Sequence, residues 1–373
     1  METNLKKYFL IAGEPSGDLH GGNLIRAIKN LHPNSSFIGH GGDMMRKEGM
    51  HIIEHIDNLS IMGFTEVLKH LPRMIKIMQR TLDAIYKSRP SRIILIDYPG
   101  FNLRLAKKIS YLNIPITYFI LPQAWAWKEE RVEKMKKVID QAISIFPFEA
   151  EWYRSKNFFV EYLGHPFMDL EHMDESTKSF YERHSLEIKN PILTLLPGSR
   201  QQEIDRHWPI YLETVLLLRK KFDNLQVLVG KSSNITLPNC PEYFKIETDA
   251  RKTMIVGTAA LVSSGTATLE CAIEAIPLVV CYKLFPLSWF IAQSLVKVKY
   301  SSIVNLIVDR QIVPELLQNK MRPELLVDEL TPLINPDSKR RIRMLSEFKK
   351  LKESLGKPGV YSRAAKIILK QTI

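Results

Sequence analysis

The chain has little cysteine. Of 373 residues only Cys240, Cys271 and Cys281 are cysteine, an odd number with no paired spacing. That excludes a disulfide framework and a zinc site built on clustered Cys and His, and it fits a reducing, cytoplasmic setting. Long hydrophobic runs are lacking too. The longest apolar stretch, Ile276 to Val296, is broken by Pro277, Lys283 and Pro286, so no bilayer span is expected. Lys6 and Lys7 precede an apolar run that stops at Ala12, too short for the core of a secretion signal. Acid is scarce relative to base: 40 Asp and Glu stand against 52 Lys and Arg, a net charge of +12. Such a balance fits a phosphate-rich partner, whether nucleotide, nucleic acid or anionic membrane. No nucleic-acid-binding motif is present, and the basic residues are scattered, so nucleic acid is not expected. Repeats, low-complexity segments and a complete G-x-G-x-x-G dinucleotide fingerprint are absent as well.

What is present is an alternation of short apolar runs with longer amphipathic ones, over a length that favours two domains. Strands are predicted at Tyr8–Ala12, Ser36–Ile38, Arg92–Ile96, Ile116–Ile120, Ala142–Ile145 and Phe159–Tyr162, then at Ile192–Leu196, Gln226–Val229, Phe244–Ile246, Ala260–Ser263 and Leu278–Cys281. The clearest helices are Gly17–Leu31, Gly63–Ser88, Trp208–Phe222, Thr266–Ala275 and Arg340–Ser354. The pattern is α/β, with two doubly wound parallel-sheet domains over residues 1–168 and 191–355, and a charged linker over 169–190. A basic amphipathic helix over 356–373, with Ala364, Ile367 and Ile368 on one side, packs on its own domain, crosses back to the first, or is exchanged with a second subunit in a homodimer.

Ligands of doubly wound sheets bind beyond the carboxyl ends of strands, where small residues open a helix. Two such turns lie in the second half. Pro197-Gly198-Ser199-Arg200 follows Ile192–Leu196, and Ser263-Ser264-Gly265-Thr266 follows Ala260–Val262 and leads to Glu270. Backbone N–H groups at Ser199, Gly265 and Thr266 suit a diphosphate, and the forked Arg200 guanidinium suits its oxygens. Glu270 is in reach of a sugar hydroxyl. The plain alternatives are a surface ion pair of Arg200 with Glu203 and a solvated face for Glu270. In the first half, Gly13-Glu14-Pro15-Ser16-Gly17-Asp18 opens a helix, with capping by Ser16 or Asp18 as its ordinary reading. Asp97-Tyr98-Pro99-Gly100-Phe101-Asn102 leaves a very apolar strand, so Asp97 is either a general base or a helix cap. Gln123, Trp125 and Trp127 follow another strand and line a sugar or acyl pocket, or the core. Two apolar segments ringed by Lys and Arg, one with Val67, Leu68, Leu71 and Ile75, the other with Trp289 and Phe290, fit either a membrane-surface patch or a buried interface.

Taken in order, these segments resemble the lipid-A-disaccharide synthases. The resemblance runs through Ala12–Asp18, Gly41–Met44, Met62–Leu68, Asp97–Leu105, Pro122–Arg131, Phe146–Glu149, Gly164–Pro166, Leu196–Arg200, Ser264–Glu270, Val304–Leu306 and Val313–Gln318. It implies a GT-B fold of two Rossmann-like domains facing across a cleft, and an inverting transfer. The donor is UDP-2,3-diacylglucosamine, and the acceptor is 2,3-diacylglucosamine 1-phosphate. It further implies that Ser199, Arg200, Gly265 and Thr266 hold the diphosphate, that Glu270 holds the ribose, and that Asn305 and Glu315 line the same pocket. Ser16, Gly17, Asn102, Gln123 and Trp125 then serve the acceptor side. No cofactor or metal is called for, since helix N-termini and Arg200 meet the charge of the departing UDP. An association with the cytoplasmic face of the inner membrane follows from the lipid substrates. Members of the family can carry a second Asp, giving Asp-x-Pro-Asp-Phe-Asn; here that position is Gly100. Asp97 is therefore the first choice for the base, with Glu14 and Asp18 as alternatives. Other UDP-amino-sugar enzymes, a transferase or a 2-epimerase, and a non-catalytic nucleotide- or lipid-binding protein are the competing readings.

Overall fold

Runs of Ile, Leu, Val and Phe without alternation form strands covered on both faces, which is how parallel sheets read in sequence. The computed structural model describes residues 6–59, 71–169, 175–232, 235–285, 289–290 and 298–370, apart from the side chains of Leu71 and Trp127. One sheet holds β1 (Lys7–Ile11), β2 (Ser36–Gly41), β3 (His51–His55), β4 (Arg92–Ile96), β5 (Ile116–Phe119), β6 (Gln141–Ser144) and β7 (Glu161–Tyr162), in the order β3-β2-β1-β4-β5-β6-β7. The other holds β8 (Ile192–Leu196), β9 (Gln226–Gly230), β10 (Lys245–Glu247), β11 (Ala259–Ser263), β12 (Leu278–Tyr282) and β13 (Glu315–Leu317), in the order β10-β9-β8-β11-β12-β13. Every pairing is parallel. The chain divides into a unit of Met1–Asp169 with Leu355–Ile373 and a unit of Leu170–Ser354.

Strand order reverses between β1 and β4 in the first unit and between β8 and β11 in the second. At such a switch point the two following loops diverge to opposite faces of the sheet and leave a crevice. In the first unit the helices that matter for the site are α1 (Pro15–Leu31), α2 (Asp43–Lys47), α3 (Leu71–Ser88), α4 (Pro99–Ile109), α5 (Ala124–Trp127) and α6 (Pro147–Arg154). The second supplies α7 (Gln201–Arg219), α8 (Ala267–Ile273) and α9 (Ile303–Val308). Under the first sheet, Phe9, Ile93, Leu95 and Ile116 pack with Ile77 and Ile85 of α3 and Leu105 and Ile109 of α4. Each such side chain contributes about 1.5–3 kcal/mol when fully withdrawn from water.

Three elements differ from expectation. Strands β3 and β13 have no counterpart in the predicted set. β3 reads His-Ile-Ile-Glu-His at a sheet edge, and β13 has only three residues, so neither carries a long apolar run. Helix α7 begins at Gln201 rather than Trp208, although Pro209 lies inside it. A proline removes one N–H and crowds one carbonyl, and a helix anchored on both sides can carry that defect. Of the predicted helix Gly63–Ser88, residues 63–70 lie outside the described residues.

The last helix, α10 (Val360–Lys370), packs on α1 within the first unit. Its N-terminus is capped by the Asp169 carboxylate, which accepts from the N–H groups of Gly359 and Tyr361. Arg363 donates twice to the Leu163 carbonyl, at 3.0 and 2.8 Å. The Tyr361 hydroxyl lies 2.8 Å from His20 Nδ1, and burial holds that imidazole neutral, its pKa lowered to about 4.

Candidate active site

In the first unit the loops after β1 and β4 meet at the switch point. A Cβ on Gly13 would stand 2.3–2.6 Å from ring atoms of Tyr98, so only glycine lets the two loops close on each other. Asp97 and Tyr98 both adopt left-handed backbone, with φ of 44° and 48°. Such residues cost on the order of 1–3 kcal/mol each and persist only when over-determined by their surroundings. Here the Asp97 carbonyl accepts from Asn102 Nδ2 and from the Tyr118 hydroxyl, each at 2.7 Å, while Tyr98 donates to the Leu59 carbonyl at 3.1 Å. Asp97 itself is half-buried. Loss of water raises its pKa to about 6 and the charge of Glu14 adds to the shift, against a bond from the Tyr98 N–H and the charge of Arg131.

Glu14 is half-buried beside this turn, Ser16 is exposed, and Gly17 is buried with 3.2 Å between its would-be Cβ and that of Ala12. Asp18 is corrected to a structural role. Its carboxylate accepts from the backbone N–H groups of Gly42, Met44 and Met45 at 2.6, 3.0 and 3.1 Å and so caps α2; an acid committed to three donors is poorly placed to take a proton. Asn102 is likewise corrected from substrate contact to positioning, since it is fully buried and its amide holds the Asp97 and Ile96 carbonyls.

The loop after β5 carries Gln123, exposed, and Trp125, half-buried. The Trp125 indole donates to Glu149 Oε1 at 2.9 Å and stands edge-on to Phe148 at 4.9 Å. Glu149 also accepts from the Phe146 N–H at the start of α6, and burial lifts its pKa to about 7. Sequence reasoning missed Glu149 and Arg131 as members of this site. Both close segments that carry the family resemblance, and that was the available signal.

In the second unit the loops after β8 and β11 flank the other switch point. Gly198 has φ of 128°, and the Glu203 carboxylate occupies the place of a side chain there, 2.5 Å from the would-be Cβ. Glu203 accepts from the Ser199 N–H at 3.1 Å, Arg200 Nη1 at 3.3 Å and the Tyr282 hydroxyl at 2.9 Å. The Arg200–Glu203 pair therefore exists, as a single long contact. The Arg200 side chain remains 50% exposed, with its other donors open to a ligand among the described residues. Gly265 has φ of 153°, and nothing lies within 4 Å of its would-be Cβ, so the turn is open to close approach. Thr266 is exposed beside it. Glu270 is half-buried in the first turn of α8, and its carboxylate accepts no hydrogen bond among the described residues. Burial first, then Asp249 and Glu274, lift its pKa to about 7 against the pull of Arg251.

His207, which sequence reasoning also missed, ties these loops together. Nε2 accepts from the Lys283 N–H at 3.1 Å, which leaves Nδ1 to donate toward the Pro197 carbonyl at 3.2 Å and Ser263 Oγ at 2.9 Å. Burial lowers its pKa and favours that neutral form. Asn305 and Glu315 are corrected from ligand contacts to scaffold. Asn305 is fully buried, donates to Val313 O and Glu315 Oε1, and accepts from the N–H groups of Ile312 and Val313. Glu315 accepts from Ser301, Ser302 and Asn305, so both its oxygens are engaged in holding the start of α9. Of the proposed membrane patch, Trp289 is half-buried and Phe290 is 72% exposed. Val67 and Leu68 lie outside the described residues, as does the side chain of Leu71.

Residues 8–370 match the family model described as lipid-A-disaccharide synthetase. The chain is 35% identical to the lipid-A-disaccharide synthase of Myxococcus xanthus (strain DK1622), over 98% of each protein. It is 33% identical to that of Haemophilus influenzae (strain PittGG), over 93% of this chain and 92% of the relative. Among solved structures it is similar to S. aureus MnaA with UDP, at a TM-score of 0.67 and 11% identity over 99% of this chain and 98% of that one. The glycotransferase of kitacinnamycin is similar at a TM-score of 0.67 and 12% identity, over 99% of both chains. At those identities the likeness speaks for the fold alone, the α/β fold of GT-B glycosyltransferases and epimerases. Family membership decides between the enzymes that share it: this chain belongs to the lipid-A-disaccharide synthases, which are glycosyltransferases.

Proposed function

We propose that the chain joins UDP-2,3-diacylglucosamine to 2,3-diacylglucosamine 1-phosphate, giving the β-1,6-linked disaccharide 1-phosphate and UDP. One observation supports this most. In each unit the base and diphosphate candidates leave the two strands that flank the switch point, β1 and β4 in one, β8 and β11 in the other, while Gln123 and Trp125 follow the neighbouring β5. The acceptor falls to the first unit, with Asp97 as base and Glu14, Ser16, Gln123 and Trp125 about it. The donor falls to the second, with Ser199, Arg200, Gly265 and Thr266 on the diphosphate and Glu270 on the ribose.

The acceptor 6-hydroxyl oxygen attacks the anomeric carbon on the face opposite the diphosphate. The bond from that carbon to the diphosphate oxygen breaks, and UDP leaves with the electron pair. Asp97 takes the hydroxyl proton as the new bond forms, so an α-linked donor yields a β-linked product. Arg200 and the open turn at Gly265 meet the charge that grows on the departing diphosphate. Work on acylated sugars also fits a protein that lies on an anionic membrane surface, a setting the net charge of +12 favours.

The test is UDP release from the diacylated donor, with and without the monosaccharide 1-phosphate, for wild type and Asp97→Ala. Acceptor-dependent release that falls by about 10²–10⁴ in the variant is the expected result. Release that survives the substitution moves the base to Glu14. No release from wild type in mixed detergent micelles would overturn the reading.

A further inference from the structure

Helices α3 and α4 leave a groove that the chemistry above does not use. Met74, Met78 and Leu82 recur every four residues along α3, and Gly100, Arg104 and Lys108 do so along α4, so each set forms a row along its helix. Tyr98 and Phe101, in the turn that follows Asp97, also line it. The volume is about 470 Å³. That is roughly three times a cavity that takes up benzene, and so room for one long hydrocarbon chain. Ile75, which also lines it, is 61% exposed.

We propose that this groove holds one acyl chain of the acceptor lipid while its hydroxyl is presented to Asp97. The proposal rests on the acceptor reading above. Two features favour the acceptor's chain over the donor's. The groove is walled by the same β4–α4 turn that carries Asp97, so a chain seated there belongs to the sugar being deprotonated. The charged residues that line it, Arg104 and Lys108, are both cationic, which matches a lipid bearing a phosphate beside its chains; the donor's phosphates have their own arginine in the other unit.

The experiment compares acceptors of one headgroup and different chain length on the full chain, for wild type, Met78→Trp and Gly100→Leu. The first variant fills the groove from α3. The second enters it from α4, where an added Cβ meets nothing within 4 Å and φ is not positive, so the new side chain meets no clash at its base. Each methylene that leaves water is worth about fourfold in binding. Wild type should gain in kcat/KM with chain length. Both variants should lose about tenfold or more on the long-chain acceptor, with little change on a short-chain one and none in the donor KM. If both variants keep the wild-type dependence on length, the proposal is wrong.

A second readout needs no turnover, so it separates failure of this proposal from failure of the transferase reading. An acceptor analogue with a photoreactive group at the end of one chain is cross-linked and mapped by mass spectrometry. Labels on residues 74–82 or 98–108 are expected. Labels elsewhere, or labels there from a donor analogue in place of the acceptor, overturn it.

Discussion

Asp97, the proposed base, shows how a fold shifts a single carboxyl. Its backbone is held in a left-handed turn by Asn102 and Tyr118, and loss of water together with the nearby Glu14 lifts its pKa to about 6. A base must be ionised to accept a proton, so kcat/KM should fall about tenfold per pH unit below about pH 6 and level off above it. Glu14→Gln removes a negative charge that raises the pKa, and the acid limb should then move to lower pH. A profile that Glu14→Gln leaves in place would argue against Asp97 as the titrating group. Asp18 makes the contrasting case, an acid whose work is architectural. Asp18→Ala strands three backbone N–H groups at the start of α2 and should lower stability by about 2–4 kcal/mol in urea unfolding. A change under about 0.5 kcal/mol would mean that water serves those groups as well.

At the scale of elements, the coupling of α10 to α1 stands out, because α1 begins with the Glu14 loop. Ile368 is fully buried and lies two helical turns on from Tyr361, on the face that reaches His20 of α1. Ile368→Ala should cost about 2–5 kcal/mol by lost burial and the cavity it leaves. Hydrogen exchange locates the effect: protection should fall along α1 and α10 and hold along α7 in the other unit. Uniform loss in both units would instead mean that the two unfold together. Parallel strands were legible in sequence because burial on both faces demands unbroken apolar runs, and β4 and β8 match their predicted bounds at both ends. Strands β3 and β13 were not, since an edge strand half open to solvent keeps polar residues and a three-residue strand has no period.

For the whole molecule, charge and exposed aliphatic or aromatic surface point the same way. A net charge of +12 accompanies exposed Ile75, Phe285 and Phe290, and among the described residues no helix is long and apolar enough to cross a membrane. Binding to vesicles containing anionic phospholipid should exceed binding to zwitterionic ones and weaken as salt rises from about 0.05 to 0.5 M, because screening shortens the reach of each Lys and Arg. Sedimentation with vesicles measures it. Equal, salt-independent binding to both would leave only apolar insertion, and no binding to either would remove the membrane association.

By itself the sequence determined the fold class, the two parallel sheets, the family and the loops proposed to carry the chemistry. Apolar run length and small residues at strand ends are local signals, and the loops at a switch point follow directly from the strands before them. Only the tertiary structure decided what each polar residue in those loops does. Asp18 meets Gly42, Met44 and Met45, Glu149 meets Trp125, and His207 meets Ser263 and Lys283, all across sequence gaps that no local pattern spans. An acid in a loop is a base, a cap or a scaffold according to which donors the fold brings to it. Burial completes the choice, because a carboxyl with its hydrogen bonds satisfied stays put, while one left half-dry and without a hydrogen bond among the described residues, as that of Glu270 is, is open to a ligand.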